Sequence, residues 1–473
     1  MRVWFVASAM TVLPTQAYLG LGIDLGTSGV RACVVDEALK TVSSSSIAWD
    51  SPEDAKGWVK ALDDVILQLP AQLRSKVERI CVSGTSGSCL AVAASCPWGA
   101  PTRAPRMYNF NCLAECNNAP EVLNELAALA PPGHTTLGGT SALLKLLCWH
   151  RERPLLKSEL FLHQADYVAG YLTRAERPTS DWNNALKAST IPISTFSLPA
   201  GYDVHDLKWP DWLISSELGA EISKTLPHVI PPGTAAGALA EEMVEKYGVA
   251  KGALVVAGTT DSIAAFLASG ASTLGTGVTS LGSTMAIKLL SSTPVEDSSR
   301  GVYSHRITMV RRPFAGPNES VWLCGGASNC GCVVLRELGF SNEELQDLSQ
   351  EIDPSNTSPF GSTYYPLPPS ASGERFPVDD PNRKSVLNPR PSNRKEFLWS
   401  ILESLAMVER DGYRVLEELG SSTVTKVLTA GGGSVNQVWG KMRSKLLGVE
   451  CSRSQKAEAA YGAALLAMRA KAT

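Results

Sequence analysis

Alternating apolar and polar positions predict two similar hairpins, one in each half of the chain. In the first half, LGIDLGTSGVRACVVDE (21–37) has two alternating apolar runs around a turn of small residues (26–29). In the second half, VTSLGSTMAIKLL (278–290) repeats this arrangement around the turn 282–284. Such alternation is typical of strands with one buried face. The two hairpins suggest a duplicated fold with a cleft between its halves.

The segment between the hairpins predicts alternating helices and strands. An amphipathic helix is expected over 53–69, followed by the strand VERICVSG (77–84) and a second turn of small residues (84–87). Strand, helix and strand in this order predict an α/β layer. Further helical patterns in this half lie at 123–129, 141–150 and 165–172.

The stretch LPHVIPPGTAAGALA (226–240) is rich in Pro, Gly and Ala and indicates the approach to a domain boundary. At 473 residues the chain is too long for one ordinary core. We therefore expect an N-terminal domain over 19–240 and a C-terminal domain over 241–473, which restarts with the strand ALVVAGTTD (253–261).

The first 18 residues form an extension with one early Arg, an apolar middle and no acidic residue. This pattern resembles a targeting segment, while an extra strand or a misjudged start of the chain fits equally. The extension is interrupted by Pro14 and is too short to span a membrane, and no later apolar run reaches transmembrane length. The expected location is the plastid if the source is photosynthetic and otherwise the cytoplasm.

Composition excludes several classes of protein. An apolar content of 44% and a charged content of 19% are typical of a globular chain. A net charge of −3 gives no electrostatic case for nucleic-acid binding. The 11 scattered cysteines indicate reduced thiols more than a disulfide framework. Cys112 with Cys116, and Cys330 with Cys332, lie close in sequence, but no second pair or histidine cluster completes a zinc pattern.

Two glycine-rich turns have both a structural and a functional interpretation. Glycine in the turn 26–29 supplies the freedom that any tight turn needs. Alternatively, its backbone N–H groups approach a phosphate while the carboxylate of Asp24 faces a Mg²⁺ ion. The triplet 431–433 joins the strand KVLTA (426–430) to a helix expected to begin near Ser434 or Asn436. Because three glycines are costly in chain entropy, we favour a flat ligand lying against this joint over a plain turn.

Nine short motifs in this order resemble those of the FGGY carbohydrate kinases, from about Leu19 to Met468. That family shares the duplicated ribonuclease-H-like α/β fold of actin and the sugar kinases, with two domains around a cleft. Within the family, SGTSG and GTTDSIAAF are similar to the small plant and cyanobacterial ketopentose kinases linked to D-ribulose. The motifs are GIDLGTSGVR, SGTSG, SDWNNALK, GTTDSIAAF, SLGSTMAIKLL, GGASNCG, YYPLPPSASGERFP, TAGGGSVNQVW and EAAYGAAL.

The resemblance implies an ATP-dependent sugar kinase that uses Mg²⁺, and it assigns a role to each candidate residue. Asp261 would be the catalytic base, Asp24 would bind Mg²⁺ and face the sugar, and Ser86 and Ser262 would bind the sugar. For Trp439 the alternative is a core aromatic residue. The residues that would contact ATP are Asp24, Thr27 and Ser28; Gly282, Ser283 and Thr284; and, around the adenosine, Gly432, Gly433, Asn436 and Trp439.

The chemistry of phosphoryl transfer agrees with these roles, because it needs backbone donors, carboxylates for Mg²⁺ and one base. In GTTDSIAAFLASG (258–270), Thr260 or Asp261 stands where a helix begins, so Asp261 has a second interpretation as a helix N-cap. The two roles are compatible, since the positive helix end keeps the carboxylate ionised.

The turn 84–87 also affects which sugar we expect the protein to prefer. Common xylulose kinases carry a bulkier loop containing Gln, Met and His at this place. The smaller residues here are expected to leave a wider pocket. In its wall, the hydroxyl of Ser86 can both donate and accept hydrogen bonds. We therefore expect D-ribulose to be preferred over D-xylulose, with glycerol a poor substrate.

Two departures from the family pattern affect these expectations. Where the family usually has an aspartate, in wording like YND, this chain reads MYNFNC with Phe110, which removes a sugar contact. A segment of about 190–200 is inserted where the family runs on almost directly. It is either a surface loop, which chains tolerate, or an error in the gene model.

The same residues bear on other classes of function. A nucleotide-binding or sugar-sensing protein without catalysis is the main alternative, which Phe110 favours and Asp261 opposes, because fold does not fix function. The stretch LGTGVTSLG (274–282) lacks the spacing of a dinucleotide-binding fingerprint, and no P-loop motif occurs. The expected partner is a small sugar, with no nucleic acid and no membrane, and the oligomeric state is left open.

Overall fold

The computed structural model describes residues 18–49, 53–131, 135–186, 203–204, 207–307 and 321–470. The insertion predicted near 190–200, and all but the last residue of the 18-residue extension, lie outside the described residues. None of the described helices is both long enough and apolar enough to cross a membrane.

The described elements alternate between strands and helices. The strands are β1 (Leu19–Gly26), β2 (Gly29–Val35), β3 (Thr41–Ala48), β4 (Val77–Gly84), β5 (Cys89–Ala93), β6 (Pro101–Arg106), β7 (Glu159–His163), β8 (Thr179–Asp181), β9 (His228–Ile230), β10 (Ala235–Ala238), β11 (Leu254–Thr260), β12 (Thr276–Leu281), β13 (Met285–Ser291), β14 (Tyr303–Ile307), β15 (Val321–Ser328), β16 (Lys426–Ala430) and β17 (Glu450–Arg453). The helices are α1 (Ala55–Leu67), α2 (Ala71–Arg74), α3 (Cys112–Glu115), α4 (Ala119–Leu129), α5 (Ala142–Glu152), α6 (Gln164–Thr173), α7 (Trp182–Leu186), α8 (Asp211–Ile214), α9 (Glu217–Ile222), α10 (Glu241–Tyr247), α11 (Asp261–Ala268), α12 (Val333–Glu337), α13 (Asn342–Gln350), α14 (Arg394–Glu418), α15 (Gln437–Leu447) and α16 (Ala459–Ala467).

Five strands of each six-stranded sheet repeat one topology, with β10 and β14 added at opposite ends, which confirms the predicted duplication. The first sheet has the order β10-β11-β4-β1-β2-β3, and the second has the order β14-β15-β13-β12-β16-β17. Each predicted hairpin, β1–β2 and β12–β13, is antiparallel. On its other side, the first strand of each hairpin pairs in parallel with a later strand, β4 or β16. The structure is therefore the duplicated α/β fold expected of an actin-like ATPase.

The helices predicted from periodicity occur with small shifts in their bounds. The pattern over 53–69 is α1 (55–67), whose N-cap Asp54 accepts a hydrogen bond from the backbone N–H of Lys56 (3.1 Å). The patterns at 123–129, 141–150 and 165–172 are α4, α5 and α6. Ser141, predicted inside α5, is its N-cap, because its hydroxyl accepts the backbone N–H of Leu144 (3.4 Å).

The C-terminal helix α16 packs on the centre of the first sheet. All eight residues of β1 are buried, so both faces of this strand are covered. Gly22 in β1 faces α16 so closely that an added Cβ would lie 2.0 Å from the carbonyl oxygen of Ala460. Small residues on both elements therefore permit this close contact.

Helices α11 and α16 lie between the two sheets. An apolar cluster joins Cys81 and Val256 of the first sheet to Val278 and Leu290 of the second through side chains of both helices. Strand β11 follows the domain boundary predicted at residue 240, yet it pairs in parallel with β4. The predicted boundary thus falls within the first sheet. The local sequence did not show this, because strand pairing joins residues that are far apart in the chain.

A smaller unit is inserted after β4. It contains the three-stranded sheet β6-β5-β7 and the helices α3, α4 and α5, which enclose their own apolar cluster. One polar contact of this unit with the turn after β4 is made by Lys145 on α5. The buried ammonium of Lys145 donates hydrogen bonds to the carbonyl oxygens of Gly87 (2.9 Å) and Met107 (2.7 Å). This unit thereby fixes the turn that follows β4.

A buried ion pair holds the second sheet against its helices. Arg443 on α15 binds both carboxylate oxygens of Glu409 on α14, at 2.5 and 2.7 Å. Arg443 also donates to the hydroxyl of Thr429 on β16 (2.7 Å), and Thr279 on β12 donates to Glu409 (2.5 Å). Because each charge is paired and hydrogen-bonded, the network fixes β12 and β16, from which two of the glycine turns emerge.

Candidate active site

Three parallel strands of the first sheet bring the predicted catalytic residues to one edge. Asp24 on β1 is in register with Ser83 on β4, and Thr260 at the end of β11 is in register with Gly84. The carboxyl ends of parallel strands meet at the same edge, where α/β sheets bind their ligands. Asp24, the turn 84–87 and Asp261 therefore share one site, although they come from distant parts of the sequence.

Asp24 is a buried carboxylate with few compensating partners. It is 4% exposed, and its oxygens receive a hydrogen bond from the hydroxyl of Ser83 (3.1 Å) and lie 3.6 Å from a guanidinium nitrogen of Arg31. Burial and then the charge of Asp261 raise the pKa of Asp24 from its usual 3.8 to about 6, against the opposing effects of Ser83 and Arg31. A cation such as Mg²⁺, which prefers oxygen ligands, fits beside these two carboxylates, because the pKa of Asp24 stays raised despite Ser83 and Arg31.

Asp261 is the first residue of α11. Thr260 is the N-cap of this helix, and its side chain makes no capping hydrogen bond. The carboxylate of Asp261 accepts a hydrogen bond from the backbone N–H of Ser262 (2.6 Å) and is half-buried. It therefore occupies the positive end of the helix, where ionised carboxylates are stabilised. The interpretation of Asp261 as the N-cap is therefore wrong, since Thr260 takes that place, while the position in the first turn suits the predicted role as a base.

The turn that follows β4 and the neighbouring residue Gln164 of α6 each contain a buried polar atom without a hydrogen-bond partner in the described chain. Within the described chain, neither the hydroxyl of Ser86 nor Nε2 of Gln164 has a hydrogen-bond partner, and both atoms are buried. The other amide atom of Gln164, Oε1, accepts hydrogen bonds from the backbone N–H (3.1 Å) and the hydroxyl (2.8 Å) of Thr85. A buried polar atom without a partner costs about 1–3 kcal/mol, so a ligand rich in hydroxyl groups suits this place.

Several residues of this edge were not predicted from the sequence. Gln164 begins α6 directly after β7, and Asn183 donates a hydrogen bond to the hydroxyl of Thr259 (2.9 Å) while its own carbonyl oxygen is buried with no partner in the described chain. Arg31 lies opposite Asp24 in the β1–β2 hairpin. A polar residue directly after a buried strand was the available signal for Gln164.

The remaining predicted residues of this edge are more exposed. Thr27 and Ser28 form the exposed tip of the first hairpin, where the hydroxyl of Ser28 accepts a hydrogen bond from Arg31 (2.9 Å). Ser262 is exposed, and its carbonyl oxygen accepts a hydrogen bond from the ammonium of Lys288 on β13 (2.9 Å). This last bond connects the second sheet to the start of α11.

Phe110 faces the inserted unit. Its ring is half-buried and lies against the guanidinium of Arg106, 4.8 Å from the ring centroid. The neighbouring backbone N–H of Tyr108 donates to the hydroxyl of Ser88 (2.9 Å), next to the turn 84–87. The effect of Phe110 on sugar binding remains a prediction.

Two glycine turns emerge together from the second sheet. The turn 282–284 follows β12 and the triplet 431–433 follows β16, and these strands are parallel neighbours. Ser283 and Thr284 are exposed, and the carbonyl of Gly282 accepts the backbone N–H of Cys332 (2.8 Å). Gly431 has a φ of +84°, and an added Cβ would lie 2.6 Å from the carbonyl oxygen of Leu281. Only glycine therefore suits this position.

A cavity of about 960 Å³ opens beside the glycine triplet. Its volume lies at the upper end of the range for small-molecule sites, so a nucleotide fits. Gly432, Gly433, Asn436 and Trp439, which the sequence assigned to the adenosine, all line it. Other lining residues come from α12, α13 and the residues around them, including Arg336, Phe340, Ser349 and Gln350.

Two of these lining residues also have structural roles. Asn436 is the N-cap of α15, so that helix begins at Gln437, and its amide donates to the hydroxyl of Ser349 (2.8 Å). Trp439 is 2% exposed, and its indole N–H donates to the carbonyl oxygen of Leu402 (2.9 Å). Trp439 is therefore a core aromatic residue that also forms a wall of the cavity.

Comparison with known proteins agrees with this arrangement. Residues 277–471 match the C-terminal domain model of the FGGY family of carbohydrate kinases. The chain is 21% identical over 463 residues to the xylulose kinase of Bacillus subtilis (strain 168), covering 94% of this chain and 87% of that protein. It is 22% identical over 450 residues to the xylulose kinase of Lactococcus lactis, covering 92% and 84%.

Solved structures share the fold at low identity. The xylulose kinase of Brucella ovis superposes with a TM-score of 0.76 at 22% identity, covering 95% of this chain and 90% of that one. Plasmodium falciparum glycerol kinase with ADP superposes with a TM-score of 0.75 at 15% identity, covering 95% and 89%. At these identities the superpositions support the fold of both halves.

The buried charge of Asp24 predicts a gain in stability for Asp24→Asn. Because the folded-state pKa of Asp24 is raised to about 6, folding favours the protonated form, and that contribution is lost as the pH rises from about 4 through 6. Above pH 6 and without divalent cations, we expect the variant to be more stable by about 1–3 kcal/mol. Urea unfolding between pH 4.5 and 8 measures the difference, with the exposed Asp347→Asn as control. Equal stability of variant and wild type at pH 7 would contradict this account.

The cavity beside the triplet predicts a selective effect of Gly432→Val. An added Cβ at Gly432 has no atom within 4 Å, so the larger side chain enters the cavity without straining the fold. We expect the KM for ATP to rise at least about tenfold, as loss of one good contact does, with the thermal midpoint nearly unchanged. Gly440→Val is the matched control, because Gly440 has equally open space but does not line this cavity. Equal KM values for ATP in the two variants would contradict the prediction that the adenosine binds in this cavity.

Proposed function

We propose that this chain, which belongs to the FGGY family of carbohydrate kinases through its C-terminal domain (277–471), phosphorylates a ketopentose with ATP, D-ribulose being the expected sugar. Its reaction class is phosphoryl transfer to an alcohol group. The observation that carries the proposal is the meeting of Asp24, Asp261 and the Ser86 turn at one sheet edge. A nucleotide-sized cavity in the second half supports it.

In the proposed reaction, Asp261 accepts the proton of the attacking sugar hydroxyl. Its carboxylate lies at the positive end of α11, a position that suits a proton acceptor. Asp24 would hold Mg²⁺, which supplies charge neutralisation to the phosphate oxygens when bound. The backbone N–H groups of the turns 26–29 and 282–284 would orient those oxygens, and Arg31 beside Asp24 adds a positive charge at the first turn. Closure of the two halves would exclude water, which otherwise competes with the sugar as acceptor.

The assignment of D-ribulose rests on the turn that follows β4. Within the part of the chain that the structure describes, the hydroxyl of Ser86 and the amide nitrogen of Gln164 have no hydrogen-bond partner, so they can bond a sugar hydroxyl. D-Ribulose and D-xylulose differ in the configuration of one hydroxyl, and the wrong isomer leaves buried polar groups unpaired. D-Xylulose is the second candidate, because the similar bacterial proteins named above are xylulose kinases. A sugar sensor with weak catalysis is the alternative of another class, which Phe110 supports.

The role of Asp261 predicts the behaviour of Asp261→Asn. The amide cannot accept the proton, so kcat should fall by about 10²–10⁴ while ATP binding and the thermal midpoint stay near those of wild type. A coupled ADP-release assay at saturating MgATP measures kcat, and Asp347→Asn serves as the control. Turnover within a factor of about three of wild type would leave Asp261 only its place at the helix end.

The sugar preference is tested by kcat/KM for D-ribulose and D-xylulose at saturating MgATP. A difference of about 1–3 kcal/mol for one unpaired hydroxyl predicts a preference of about 5- to 150-fold for D-ribulose. Ser86→Ala should lower the ratio of kcat/KM for D-ribulose to kcat/KM for D-xylulose, while leaving the KM for ATP unchanged. A clear preference for D-xylulose would overturn the ribulose assignment but not the kinase. Activity with neither sugar, from folded protein that binds ATP, would favour the sensor.

A further inference from the structure

Three cysteine thiols meet inside the unit inserted after β4. Cys112 begins α3, Cys116 follows that helix, and Cys148 lies on α5. Their sulfur atoms all lie within 4.8 Å of one another, and all three side chains are buried. The sequence showed only the first pair, with no second pair or histidine cluster to complete a zinc pattern, and the packing of α5 brings one further thiol, that of Cys148, beside it.

We propose that Cys112, Cys116 and Cys148 bind one soft, thiophilic metal ion of the Zn²⁺ class. Sulfur ligands bind Zn²⁺ at about 2.3 Å, which places three of them about 4 Å apart around one ion. The observed spacing therefore needs an adjustment of less than about 1 Å, within the reach of side-chain rotation. A site built only of sulfur selects soft metals and disfavours Mg²⁺, which prefers oxygen. The site is thus chemically distinct from the carboxylates of Asp24 and Asp261.

The charges around the three thiols suit such an ion. Three thiolates and one Zn²⁺ leave a net charge of −1, which a buried site must balance. Arg106 and Lys145 are the basic groups whose charges act on Cys112. The guanidinium of Arg106 is fixed between the rings of Phe110 and Trp149, at 4.8 and 4.7 Å from their centroids. Its other side pairs with Glu152 (2.5 Å). Because Glu152 neutralises the charge of Arg106, the ammonium of Lys145 is the named charge that would balance the site, and both basic groups are held in place before any metal enters.

The location of the three thiols gives the ion a structural role at the turn that follows β4. Lys145 lies one helical turn before Cys148 on α5, and its ammonium binds the carbonyl oxygens of Gly87 and Met107. An ion that joins α3 to α5 would fix both the segment after Met107 and the helix that carries Lys145. It would thereby stabilise the inserted unit without touching the reacting groups. The inference does not depend on which sugar the protein phosphorylates.

The experiment measures zinc bound per chain. The full-length protein is reduced with a phosphine, stripped with a chelator, and dialysed against Zn²⁺ in excess Mg²⁺ so that oxygen-ligand sites are occupied. We expect one Zn²⁺ per wild-type chain by elemental analysis, with a rise in the thermal midpoint. Cys148→Ser should lower the zinc content to none and abolish that rise. Cys89→Ser is the matched control, because Cys89 is buried in the same apolar cluster but lies outside the group of three, and it should keep one ion.

A second measurement uses only the wild-type chain, in case Cys148→Ser fails to fold. X-ray absorption of the protein loaded with Cd²⁺ should show three sulfur neighbours around the ion. Absence of stoichiometric zinc in the reduced wild type, retention of the ion in folded Cys148→Ser, or fewer than three sulfur neighbours would each overturn the proposal. A disulfide within the group that persists after phosphine treatment would also overturn it, because a disulfide consumes two of the three ligands.

Discussion

The burial of the Asp24 carboxylate, beside the charge of Asp261, is the constraint on which the site depends. Ser83 and Arg31 offset only part of the cost of burying Asp24, since its pKa is still raised to about 6. An edge that holds two carboxylates in this way is stabilised by a cation and destabilised without one. The same arrangement thus supports the proposed place for Mg²⁺ and predicts a lower stability of the cation-free protein at neutral pH.

The duplicated sheets determine where these charges lie. In each half, a hairpin strand and a later strand run parallel, so the turns after them open at one edge. The first sheet presents carboxylates and hydroxyls there, while the second presents glycine turns and a cavity. Helices α11 and α16 pack between the sheets, and Lys288 reaches the carbonyl of Ser262 at the start of α11 (2.9 Å). The two edges are therefore joined through the helix that carries the proposed base.

The sequence predicted the parts of this arrangement that are local. The hairpins, the glycine turns and the helix start at Asp261 all depend on residues within a few positions of each other, and these were found. Gln164, Arg31 and Asn183 were missed because their roles follow from strand pairing and packing across the chain. The same reason explains β11, which follows the predicted boundary but pairs within the first sheet. It also explains Cys148, whose thiol joins the predicted cysteine pair only when α5 packs beside α3.

The most direct test of the two-carboxylate site is a titration of the Asp24 carboxyl carbon by ¹³C NMR, in the wild type and in Asp261→Asn, without divalent cations. The account predicts a pKa near 6 for Asp24 in the wild type and a lower pKa in the variant, because the second charge is then absent. Assignment of the signal is checked with Asp24→Asn. A pKa for Asp24 near its usual 3.8, or one that does not change in Asp261→Asn, would contradict the account.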